Sequence, residues 1–249
     1  MFRVLPDAEG LAREAAREFA ASAAESVRDR GLFCVALSGG STPRLLHERL
    51  AGDWAREIAW ERVRFYFGDE RCVPPDHERS NYRMARETLF DPLAISATRI
   101  FRMRGEEEPR RAALDYEAEL RTHVPAEGVI PRLDLVLLGL GSDGHTASLF
   151  PETQALVEKR RLAAANFVAK FSEWRLTLTY PCLRAARRIL FLVTGAEKSD
   201  AAAAILGRRG GDSLPAGRVK PRSGSVLWLL DRAAAAKLPV DGSTADGRR

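Results

Sequence analysis

The sequence predicts an α/β fold with a mainly parallel central sheet flanked by helices, and three observations carry that prediction. Short, continuous apolar runs alternate with amphipathic helical patterns along most of the chain. Those runs are apolar at consecutive positions, as in strands buried on both faces, whereas a strand with one wet face alternates. Several of them end in glycine-rich turns that lead directly into a helix, the grammar of a layered α/β domain.

Taken in order, residues 7–30 read as an alanine-rich helix, because Leu11, Ala15, Phe19, Ala23 and Val27 form one apolar stripe that Gly31 ends. Residues 32–37 are a buried strand that runs into Ser38-Gly39-Gly40-Ser41-Thr42-Pro43 and then a helix carrying Leu45, Leu46 and Leu50. The rhythm repeats with a strand at 63–67, the loop Gly68-Asp69-Glu70-Arg71, and a helix that starts near Ser80 and carries Tyr82, Met84 and Leu89. A short strand is expected at Ile100-Phe101 and a charged helix over 107–123. Residues 133–138 form the clearest strand, ending in Gly139-Leu140-Gly141-Ser142-Asp143-Gly144-His145. Further strands fit 176–179, 189–193 and 226–230, with helical patterns near 197–207 and 231–236. One domain is expected over 1–237, followed by a polar, glycine-rich and disordered tail over 238–249.

Bulk properties narrow the function. With 249 residues, 45% hydrophobic and 29% charged, the chain suits one large domain with a full core. The formal charge of +5 comes mostly from arginines spread along the chain, which points to solvated helix faces rather than a nucleic-acid partner. Cys34, Cys72 and Cys182 are odd in number and widely spaced, as expected in a reducing compartment. The N-terminus lacks the apolar core of a signal peptide, and no run approaches the roughly 20 residues that span a bilayer. A soluble, cytoplasmic protein without a membrane partner is expected.

Three segments carry chemistry, all at the carboxyl ends of predicted strands, where such sheets bind ligands. In Ser38-Gly39-Gly40-Ser41-Thr42-Pro43 the glycines let backbone N–H groups approach an anion, and the helix that follows offers its positive end to a phosphate. The same residues also fit a capped helix after a tight turn. The loop with Asp69, Glu70 and Arg71 can hold hydroxyls or a carboxylate, although alone it equally suits a solvated turn with a salt bridge. Asp76, His77 and Glu78 do not read as metal ligands, because adjacent residues of an extended segment diverge and no second cluster follows. His145, in a glycine-rich loop beyond a core strand and beside Asp143, is the candidate general base. Ser148 lacks the G-x-S-x-G elbow of a nucleophile.

Together these segments resemble the 6-phosphogluconolactonase family, which shares a superfamily with the glucosamine-6-phosphate deaminases. The resemblance runs over about residues 5–237. It rests on Ser38–Pro43, on Asp69-Glu70-Arg71 with Ser80-Asn81-Tyr82, and on Gly141-Ser142-Asp143-Gly144-His145-Thr146-Ala147-Ser148-Leu149-Phe150-Pro151. Later matches are Trp174-Arg175-Leu176-Thr177, Gly195-Ala196-Glu197-Lys198 and Trp228-Leu229-Leu230-Asp231. The resemblance implies a deaminase-like fold and hydrolysis of a phosphorylated sugar lactone without metal or organic cofactor. It makes His145 the base, with Arg71 and Asp69 in the catalytic set. Gly39, Gly40, Ser41, Thr42, Ser80, Asn81, Asp143, Arg175 and Lys198 would contact the substrate or its phosphate. Residues 167–173 depart from the usual pattern, with Phe171 and Ser172 ahead of Trp174.

Two rivals remain. A glucosamine-6-phosphate deaminase or isomerase needs a second acid/base carboxylate soon after the histidine, whereas Thr146-Ala147-Ser148-Leu149-Phe150 contains none. A non-catalytic sugar-phosphate sensor would need an appended DNA-binding module, and the single helix before the first strand is too little for one.

Overall fold

In the computed structural model the chain is described over residues 1–207 and 211–238. A parallel six-stranded sheet is ordered β1-β11-β10-β7-β2-β3, with β1 Phe2–Leu5, β2 Phe33–Leu37, β3 Val63–Phe67, β7 Leu135–Leu138, β10 Arg188–Val193 and β11 Ser225–Asp231. Every residue of β2 and β7 is buried, as their uninterrupted apolar runs require. The first helix, α1 (Ala8–Arg30), starts where Asp7 accepts the Gly10 N–H at 2.7 Å and stops at Gly31, whose φ of 73° closes the last turn. It packs against α2 (Ser41–Gly52) and against β11. Phe191 and Trp228 stack at 3.6 Å on neighbouring strands β10 and β11. Each such buried side chain contributes about 1.5–3 kcal/mol.

A second, antiparallel sheet runs β4-β9-β8, formed by β4 Asp69–Arg71, β9 Glu173–Leu178 and β8 Ala163–Val168. This corrects two expectations. Residues 69–71 are a strand rather than a loop, and the strand expected at 176–179 belongs to the small sheet. The physical reason is pairing: the Leu178 N–H donates to Gly68 O at 2.8 Å, so β3 passes into β4 under β9 without an intervening free turn. The strand β8 gave no signal because Ala163-Ala164-Ala165 favours helix, and pairing with β9 overrides that preference.

The remaining elements are α3 (Asn81–Ala85), α4 (Pro109–His123), the hairpin of β5 (Ala126–Glu127) and β6 (Ile130–Pro131), α5 (Tyr180–Leu183) and α6 (Ser199–Leu206). The helix expected from Ser80 is shorter, because a π-helical turn at Arg86–Phe90 follows α3. At Ile100 there is only an isolated bridge to Phe65. Turns replace the helix expected at 231–236, since Asp231 ends β11 and its side chain binds the Ala234 N–H at 2.7 Å. In α4, the Tyr116 hydroxyl both accepts the Phe67 N–H at 2.8 Å and donates to Phe67 O at 3.0 Å, fixing the end of β3. Leu238, expected as the first residue of the tail, is instead buried in the core, and the rest of that tail, 239–249, lies outside the described residues. Among the described residues no helix is long and apolar enough to cross a membrane.

Candidate active site

Strand order puts a crevice between β2 and β7. From β2 the chain moves outward to β3, whereas from β7 it moves the other way to β10 and β11. The loops leaving their carboxyl ends therefore part, and a ligand fits between them. A cleft of about 460 Å³ opens there, lined by the loops after β2, β7 and β10 together with residues of β4 and Asn81.

One end of the cleft suits an anion. No side chain caps the first amides of α2, so they remain available, and Gly40 at its N-cap has φ 112°, a conformation that favours glycine. Thr42 and Thr194 share a hydroxyl hydrogen bond of 2.6 Å that ties this helix to the end of β10. The Asp231 carboxylate accepts the Gly195 N–H at 3.1 and 3.2 Å and holds the loop that carries Lys198 into the cleft. Lys198 Nζ lies 3.7 Å from Glu197 Oε1.

The other end is built from side chains. His145 Nδ1 lies 2.5 Å from Asp143 Oδ1, and the His145 N–H donates to the same oxygen at 3.2 Å. The ring stacks on Phe150 at 4.0 Å. With Nδ1 committed to Asp143, Nε2 is the nitrogen left for substrate chemistry. Burial pushes the Asp143 carboxyl up, but the hydrogen bond and charge of His145, with Lys170 beyond, outweigh it and hold the group below its ordinary value. A side chain at Gly141 would put its Cβ 1.9 Å from His145 Nδ1, so only glycine lets the loop fold over the ring.

Asp69 and Arg71 lie on the cleft side of β4, and Glu70 points the other way, into the protein. The Ser148 hydroxyl donates to Asp69 Oδ2 at 2.6 Å, and Asn81 Nδ2 donates to Asp69 Oδ1 at 3.2 Å. Arg71 Nη1 donates to Asn81 Oδ1 at 2.6 Å and to Arg79 O at 2.5 Å. The buried Glu70 carboxylate accepts the N–H groups of Arg71, Asn81 and Tyr82 at 2.7–2.8 Å and the Ser80 hydroxyl at 3.1 Å. Its desolvation raises the carboxyl above its usual range despite those backbone bonds. This carboxylate clamps the start of α3 to β4 and so sets Asn81 in the cleft.

Of the residues expected from the sequence, Gly39, Gly40, Ser41, Thr42, Asp69, Arg71, Asn81, His145 and Lys198 line the cleft. Three do not. Ser80 is buried, where it caps α3 by accepting the Arg83 N–H at 3.1 Å. Asp143 stands behind His145 rather than in the lining. Arg175, opposite Arg71 on β9, pairs with Glu173 at 2.5 Å, lies 5.8 Å from the centre of the Phe171 ring and is not in the lining. The sequence reading missed Thr194, although it directly follows a buried strand, the position where a ligand loop begins. It also missed the clamp role of Glu70 and the service of Ser148 to Asp69, which depend on contacts between distant segments. Among the described residues, no three His, Cys, Asp or Glu side chains converge as a metal-ligand set.

Comparison with known proteins bears on this geometry. Residues 6–228 match the family described as glucosamine-6-phosphate isomerases/6-phosphogluconolactonase. A 6-phosphogluconolactonase of Nostoc sp. strain PCC 7120 is 40% identical over 240 residues, which is 95% of this chain and 98% of that protein. One from Haemophilus influenzae is 39% identical, covering 80% of this chain and 85% of its own. The structure of the Trypanosoma brucei 6-phosphogluconolactonase superposes with a TM-score of 0.85 at 32% identity, over 96% of this chain and 98% of that one. A monomeric glucosamine-6-phosphate deaminase, at 21% identity and a TM-score of 0.77 over 95% of this chain and 99% of its own, shares the fold.

Proposed function

The chain belongs to the glucosamine-6-phosphate isomerase/6-phosphogluconolactonase family, and from that premise we infer how its cleft works. The protein is an enzyme that hydrolyses 6-phospho-D-glucono-1,5-lactone to 6-phospho-D-gluconate. The observation that carries the mechanism is the Asp143–His145 pair facing a cleft whose other end offers uncapped helix amides and Lys198.

The phosphate binds the N-terminus of α2, with Lys198 as counter-charge and the Gly39, Gly40, Ser41 and Thr42 segment around it. Held there, the lactone ring presents C1 to His145 and Arg71, and this fixed approach removes much of the entropic barrier. His145 Nε2 takes a proton from water as the water oxygen bonds to C1, while Asp143 holds the tautomer and supports the imidazolium. Negative charge develops on the carbonyl oxygen, where the Arg71 guanidinium and loop N–H groups stabilise it. The imidazolium then gives its proton to the ring oxygen as the C–O bond breaks, leaving an open-chain acid. Asp69, oriented by Ser148 and Asn81, accepts hydrogen bonds from sugar hydroxyls. A cytoplasmic location belongs to the same proposal.

The test is His145→Asn, which keeps hydrogen-bonding capacity and removes the base. Its kcat should fall about 10²–10⁴-fold with little change in product-analogue affinity, and the acid limb of the pH profile should disappear. A folded variant that binds normally and turns over within a few-fold of the parent would exclude His145 as the base.

A further inference from the structure

The tip of the β8–β9 hairpin reaches the back of the reacting pair, and no step above uses it. Lys170 lies in the turn Ala169–Phe171, which Ser172 closes in a left-handed conformation with φ 51°. Its Nζ is 3.5 Å from Asp143 Oδ2, while Oδ1 of the same carboxylate holds His145. The ammonium also lies 5.5 Å from the centre of the Phe171 ring. Phe171 packs edge-on against Phe150 at 5.7 Å, and Phe150 is the ring on which His145 stacks. One hairpin tip thus meets the base by two routes, through its carboxylate partner and through its aromatic floor.

We propose that Lys170 is a positioning residue that acts through Asp143 to keep the His145 imidazole neutral and ready to accept a proton. The proposal rests on His145 being the base. A carboxylate 2.5 Å from an imidazole favours imidazolium, the form that has already spent its basicity. A cation on the far oxygen draws on the same negative charge, so Asp143 orients the ring with less tendency to protonate it. The other charged groups around the pair do not offer this contact. Asp69 and Arg71 on β4, and Glu197 and Lys198 after β10, line the cleft, while Arg175 is taken by Glu173. The Lys170 side chain is 62% exposed, so its influence is open to salt screening.

The experiment compares Lys170→Met and Lys170→Arg with the parent enzyme, measuring kcat against pH on 6-phosphogluconolactone, corrected for spontaneous hydrolysis. In parallel, the His145 ring is titrated by NMR, with its signals assigned by their loss in His145→Asn. Removing the cation strengthens Asp143 as an anion and stabilises the imidazolium. Both the acid limb and the ring titration of Lys170→Met should therefore move to higher pH, by about half a unit. Lys170→Arg should stay with the parent, and high salt should move the parent toward Lys170→Met. A ring titration unchanged in Lys170→Met overturns the proposal, as does a raised KM with an unmoved acid limb, which would make Lys170 a substrate contact. If the ring titration moves while the acid limb does not, Lys170 tunes His145 but His145 is not the base, and it is the mechanism that fails.

Discussion

The two ends of the cleft are built differently. The anion end is mostly backbone: uncapped amides at the start of α2 and a loop pinned by Asp231, both hung on the central parallel sheet. The reaction end is mostly side chains, assembled from β4, the start of α3 and the loop after β7, with the small antiparallel sheet holding them in register. Backbone N–H groups recognise an anion whatever the neighbouring side chains, provided the turn allows approach. General-base and oxyanion chemistry needs particular atoms at fixed distances, so it draws on more of the fold. Affinity should therefore be lost at one end and rate at the other.

Substitutions can break or sharpen that division. After His145, the largest effect is expected at Arg71, which should govern rate. Arg71→Ala removes the proposed oxyanion donor and should lower kcat about 10²–10³-fold, with KM changed far less. A steady-state comparison that finds the loss mainly in KM would move Arg71 to the binding end. Lys198→Ala should do the reverse, raising KM for the phosphorylated lactone about 10–100-fold while leaving an unphosphorylated gluconolactone nearly unaffected. Equal losses on both substrates would mean that Lys198 does not meet the phosphate.

Gly39 tests whether the ends are separable. It sits in the anion loop, yet a Cβ there would lie 1.8 Å from Asn81 Oδ1, the atom that also holds Arg71. Gly39→Ala should therefore lower kcat about tenfold as well as raising KM, and a pure KM effect would show that the two ends move independently. The smallest effect on catalysis is expected at His47, buried in α2 with Nδ1 3.1 Å from the Thr88 hydroxyl and Nε2 without a partner. Burial, helped by Arg44, lowers its pKa from 6.5 to about 3. The unfolded chain takes up this proton below about pH 6.5 and the folded one does not. Stability is therefore full above that value and is lost progressively as pH falls toward 3. Denaturant melts should show about 2 kcal/mol of this loss by pH 5, and His47→Leu should flatten it.

Much of the anion end was legible because it is written in one contiguous segment. Gly39-Gly40-Ser41-Thr42-Pro43 after an apolar strand carries its own turn and helix start, and nine of the twelve expected residues do line one cleft. The other three stand outside that lining for a common reason. Ser80 and Asp143 are close in sequence to cleft residues and Arg175 pairs with Arg71 across the small sheet, but each is turned to a partner of its own: Glu70, His145 and Glu173 respectively. A sequence shows which residues are capable of binding; it does not show which partner reaches them first.

The sequence by itself determined the buried strands, the glycine turns beyond them and the residue types proposed for phosphate binding and proton transfer. Those follow from local periodicity, backbone freedom and side-chain chemistry, which are properties of short windows. Only the tertiary structure decided that β2 and β7 are neighbours with diverging loops, that β4 pairs with β9, and that Glu70 clamps Asn81 into the cleft. These depend on strand order and on hydrogen bonds between segments far apart in the chain. No short window carries that information, because the energy that selects such pairings appears only when the distant segments are packed together.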